Sequence, residues 1–155
     1  MFGEIRSGRH PHEVGLLIIM FLLGSVGLLF FSKLANAPVK SLPYPFGHVL
    51  FAGLVLGSGV TLGGVFWRNI AGALAERIGL YSLTLHAAAY TYAIIAVSGL
   101  RGVNLAGFMV YIIGANLWRI RQIGREIDQM EVLREKNARE HAAVRDLLQI
   151  PPEEP

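Results

Sequence analysis

The chain contains no cysteine. Disulfides, thiol nucleophiles and Cys-ligated zinc are therefore excluded, although this absence assigns no compartment. Charge is scarce over most of the length. Between Val14 and Trp118 the charged side chains are Lys33, Lys40, Arg68, Glu76, Arg77 and Arg101, and none lies deep inside an apolar run. Catalytic signatures are missing as well: there is no H-E-x-x-H, Walker loop, nucleophile elbow or Cys/His cluster. His10 and His12, followed by Glu13, are too few to define a metal site. Tyr81, Ser82, Thr84 and His86 share one apolar segment, but no carboxylate there orients the histidine, so they form no catalytic set. The expectation is a protein that is not an enzyme and carries neither metal nor cofactor.

Apolar sequence fills the space. Of 155 residues, 53% are hydrophobic and 16% charged, which is greasy for a soluble domain of this length. Four uncharged runs predict an all-α, polytopic membrane protein with four transmembrane helices, over about 14–31, 46–67, 78–100 and 102–118. The first run would be about 27 Å long as a helix, near the hydrocarbon thickness of a bilayer. It is too long for a signal-peptide core and the following SKLANAPVK is a poor cleavage site, so it is expected to be retained. Pro38, Pro43 and Pro45 break the chain between the first two runs. The segment RNIAGALAERIG reads as a short interfacial helix between the second and third. SGLRG leaves room only for a tight turn before the fourth.

Two features inside the spans stand out. Gly53 and Gly57 form one G-x-x-x-G, and Gly59 and Gly63 form another, with Gly64 adjacent. Such spacing allows two helix backbones to approach closely, and these four glycines are the expected helix-packing positions. No Asp or Glu is expected inside a span, and His86 is the histidine expected well within one, His48 lying near a span end; the bland role for His86, a hydrogen bond within the bundle, outweighs a proton or ligand role.

Basic residues decide the orientation. Arg6, Arg9, Arg68, Arg77, Arg119, Arg121 and Arg125 fall on one side and Lys33, Lys40 and Arg101 on the other, which predicts both termini in the cytoplasm, with residues 1–13 forming a short amino-terminal segment. Trp118 marks the last boundary, and from 119 to about 150 no proline interrupts a cytoplasmic helix of about 48 Å. Pro151 and Pro152 then stop it, leaving 151–155 as a flexible end. Ile120, Ile123, Ile127 and Met130 make a short coiled-coil seam, expected to carry tail association with a second copy or a protein partner. The tail's basic residues are interleaved with acidic ones, which argues against nucleic acid as a partner.

The pattern WRNIAGALAERIGLYSLTLHAAAYTYAIIAVSGLRGVNLAGFMVYIIGANLWRIRQIGREI, Trp67 to Ile127, resembles small four-span holin-like membrane proteins of actinobacterial phages and prophages. The similar elements are ERIG at Glu76 to Gly79, the Gly-bearing turn around Arg101, and WRIRQI at Trp118 to Ile123. The resemblance implies a protein of the bacterial cytoplasmic membrane that oligomerises among lipids and permeabilises the membrane, or assists that step, during host cell lysis. Two other readings stand beside it. One is a membrane-anchored interaction or superinfection-exclusion protein that recruits a partner through its tail. The other is a small transporter, with His86 as its main support.

Overall fold

The computed structural model describes residues 11–67 and 69–147. The amino-terminal segment with Arg6, Arg9 and His10, the boundary residue Arg68, and the end of the tail from 148, including the Pro151–Pro152 stop, lie outside the described residues. All regular structure among the described residues is helical: α1 (Pro11–Leu29), α2 (Phe31–Leu34), α3 (Ala37–Lys40), α4 (Phe46–Phe66), α5 (Ile70–Ser98), a 3₁₀ turn (Gly99–Gly102) and α6 (Val103–Leu147).

The breaks follow local chemistry. Asn36 caps α3, accepting from Val39 N at 3.3 Å, with proline in the first helical turn, where a missing N–H costs nothing. Asn69 caps α5 in the same way, accepting from Gly72 N at 2.8 Å. Its removal in Asn69→Ala should lower bundle stability by about 1 kcal/mol, read as an earlier unfolding midpoint in detergent. Gly99 ends α5 at φ 52°, a backbone region that favours glycine. The helix beginning at Ile70 has no break at Ile78, so the segment expected to be a separate interfacial helix forms the opening turns of α5.

Three helical stretches are long and apolar enough to cross a membrane: His12–Leu29, Phe46–Phe66, and Ile70–Val144, which runs through α5, the turn and α6. The chain is thus an all-α, multi-span membrane protein ending in a C-terminal helix. Its packing is inverted relative to a water-soluble bundle. The buried residues of α4 are Gly47, Gly53, Gly57, Ser58, Thr61 and Gly64, all small. Several of its large side chains point outward, with Leu56, Phe66 and Val49 all exposed. Lipid rewards close backbone approach at small residues and tolerates apolar side chains outside, whereas such a surface in water would aggregate.

Residues up to Arg121 form one compact unit and those from Gln122 a second. In the first unit α4 is central, packed against α1 on one side and most closely against α5 on the other. Arg119 in the first part of α6 reaches Glu76 of α5 across 43 positions of sequence. In the second unit, every side chain from Glu131 to Val144 is exposed. Lys136–Glu140 at 3.8 Å and Arg139–Glu135 at 3.5 Å are solvated i,i+4 pairs that support the helix only slightly.

Candidate functional site

The α4–α5 seam is built from side chains that are absent. A Cβ added at Gly57 would lie 3.0 Å from Leu83 Cγ, one added at Gly64 would lie 2.5 Å from the Gly72 carbonyl oxygen, and one added at Gly79 would lie 2.7 Å from the Gly57 carbonyl oxygen. Gly53 makes room for the imidazole of His86, which sits directly against it. Gly59 behaves differently: it faces α1, where Phe21 Cε2 would be 3.4 Å from an added Cβ. A Cβ added at Gly63 would meet nothing among the described residues within 4 Å beyond its own turn of helix. The glycine adjoining it, Gly64, fills the close-contact role. On the other side of α4, Gly24 and Gly27 of α1 receive Val55 and Phe51.

His86 is anchored by its own helix, with Nδ1 2.7 Å from the Ser82 carbonyl oxygen. A carbonyl only accepts, so Nδ1 carries the proton and donates. The ring also borders an apolar cavity of about 530 Å³ between α4, α5 and the proline-bearing loop, together with Pro43, Val49, Leu85 and Tyr92. At the same end of the bundle His48 stacks on Phe31, with ring centroids 4.0 Å apart, and meets the edge of Tyr44. Asn36 donates its side-chain amide to the Tyr90 hydroxyl, tying the loop to α5.

A polar junction at the opposite end of the unit was not anticipated from sequence. Glu76, expected at a headgroup edge, is only 4% exposed. Arg119, counted among the basic residues of the cytoplasmic side, donates Nε to Glu76 Oε1 at 3.1 Å with its side chain 12% exposed. The pair borders a small cavity of about 100 Å³ that Glu13, Thr61 and Asn116 also line, so α1, α4, α5 and α6 all contribute. Asn116 Nδ2 is buried there without a hydrogen-bond partner among the described residues. An i,i+43 pairing leaves no periodic trace. The only sequence signal was two opposite charges at the same expected depth.

The chain matches no family model, no curated protein and no solved structure. Among the described residues no three His, Asp or Glu side chains gather in a way that would hold a metal ion.

The tail seam divides in two. Ile120 and Ile123 are buried, at 3% and 1% exposure, while Ile127 and Met130 are half-buried. The first two isoleucines are thus already packed within a single chain. Exposed apolar side chains begin with Val132 and Leu133 and recur at Val144.

Proposed function

We propose that the protein is a self-associating anchor of the bacterial cytoplasmic membrane. In this reading α1, α4, α5 and the first part of α6 each cross the bilayer, both termini are cytoplasmic, and the remainder of α6 binds a second copy. No reaction is assigned to the chain. The observation that carries the reading is the uninterrupted helix from Glu131 to Val144 with every side chain exposed. A solitary helix of that length is marginal in water, and burial of an apolar face against a partner is the usual source of stability. Met130, Leu133, Asn137, Glu140 and Val144 follow the 3–4 spacing of such a face, with a polar Asn137 of the kind that fixes register in coiled coils.

A holin-like, lysis-associated role is the second reading. Besides the sequence resemblance, it is favoured by Gly107 and Gly114 of α6. They are seven residues apart on one helix face, and among the described residues nothing beyond their own turn of helix lies within 4 Å of a Cβ added at either. In that role copies meet through α6 within the membrane and the assembly permeabilises it.

A truncation after Arg134 separates the two. Anchoring through the tail predicts that the truncated protein still reaches the membrane but loses crosslinked dimers. Permeabilisation predicts sudden depolarisation on induction that survives the truncation and disappears in Gly107→Leu/Gly114→Leu. Full dimer yield without the tail would overturn the first reading; an intact potential at high membrane-localised expression would overturn the second.

A further inference from the structure

We infer that the junction of α1, α4, α5 and α6 is a binding site for a zwitterionic phospholipid headgroup, a phosphate ester bearing a primary ammonium. This inference is independent of what the tail binds.

Depth is the first argument. Glu13 lies in the first turn of α1 and Val65 next to the last residue of α4, and both border the cavity. The site therefore lies where two apolar helices end, at headgroup level.

The donors give the second argument. Asn116 Nδ2 is buried without an acceptor among the described residues, and Arg119 lines the same cavity. A buried N–H left unmatched is costly, and a phosphate oxygen beside a guanidinium supplies the acceptor in its strongest form. The acids then restrict which phosphate fits. Glu76 is engaged with Arg119, whereas Glu13 is exposed at the rim. Two carboxylates against one guanidinium repel a purely anionic group. An ammonium next to the phosphate turns that repulsion into a pairing with Glu13. A choline head, with no N–H to donate, pairs less well.

Size and lining agree. A cavity of about 100 Å³ exceeds the space of one water and suits a compact polar group. Leu16, Leu17 and Met20 of α1 continue its wall with apolar surface, suited to the first carbons of the attached chains.

The test is native mass spectrometry of the full chain in detergent, titrated with phosphatidylethanolamine, phosphatidylcholine and phosphatidylglycerol of one acyl length, and with inorganic phosphate. Phosphatidylethanolamine should bind best and inorganic phosphate should not compete. Asn116→Leu should weaken that binding about tenfold or more. Glu13→Gln, at an exposed position, should leave the fold unchanged and abolish the preference for ethanolamine over glycerol. Equal binding of the three lipids, or unchanged affinity and preference in both variants, would overturn the proposal. Competition by inorganic phosphate alone would reduce the site to a simple anion pocket and overturn it too. Greater stability of Asn116→Leu, with no lipid dependence in either protein, would mean that the cavity holds only water and would equally overturn it.

Discussion

Alanine at Gly64 should loosen the α4–α5 pair severely, while alanine at the adjacent Gly63 should be harmless or mildly stabilising. At Gly64 the new methyl would sit 2.5 Å from the Gly72 carbonyl oxygen and 2.9 Å from Glu76 Cα. Both obstacles are backbone, so no rotamer change relieves the overlap and the helices must separate. Overpacking of this kind costs about 3 kcal/mol or more. The separation would also weaken every neighbouring contact along the seam, including that of Gly57 with Leu83. At Gly63 the added methyl would meet nothing among the described residues within 4 Å beyond its own turn of helix, and the substitution gains up to about 1 kcal/mol of helix propensity. Unfolding of each variant in mixed micelles, followed by circular dichroism, gives the comparison. Equal responses from the two alanines would show that this seam does not hold the bundle together.

Breaking the Glu76–Arg119 pair should have a comparable effect. Glu76→Ala takes the carboxylate away from a guanidinium whose side chain is only 12% exposed, and loss of one partner from a buried pair costs about 3–5 kcal/mol. The sign reverses when both charges go. Glu76→Leu/Arg119→Leu removes the desolvation cost together with the attraction, so it should recover much of the stability lost in the single variant. The coupling energy from the double-mutant cycle is the decisive quantity, measured by the same micelle unfolding. A single-variant effect of only a few tenths of a kcal/mol would mark the pair as solvated, in the manner of Lys136–Glu140.

Helix class and the apolar stretches were legible in the sequence, because hydropathy and proline placement act locally. The second run, expected over 46–67, is α4 at Phe46–Phe66. Where α5 begins was less legible. Arg68, Glu76 and Arg77 read as a charged edge that ends at Ile78, yet Glu76 is buried against a partner far along the chain, so the helix continues past it. The glycine face shows a second limit. One helical position is a rotation of about 100°, and G-x-x-x-G spacing cannot tell which of two adjacent glycines faces the neighbour. Gly63 has the motif spacing, while Gly64 has the contact. In the tail, periodicity grouped Ile120 and Ile123 with Ile127 and Met130, although only packing distinguishes the buried pair from the half-buried one.

Six polar side chains within the helices share a habit with a wider consequence. Ser25, Ser58, Thr61, Thr84 and Thr91 each donate to the carbonyl four residues earlier, and His86 does the same through Nδ1. Each of these groups is satisfied by its own helix before any neighbour arrives. Insertion and assembly can then be separate events: a helix enters lipid with these hydrogen bonds already closed, and its later association is a fitting of shapes. Trading one of these hydroxyls for a methyl should matter less than adding a single carbon to the seam.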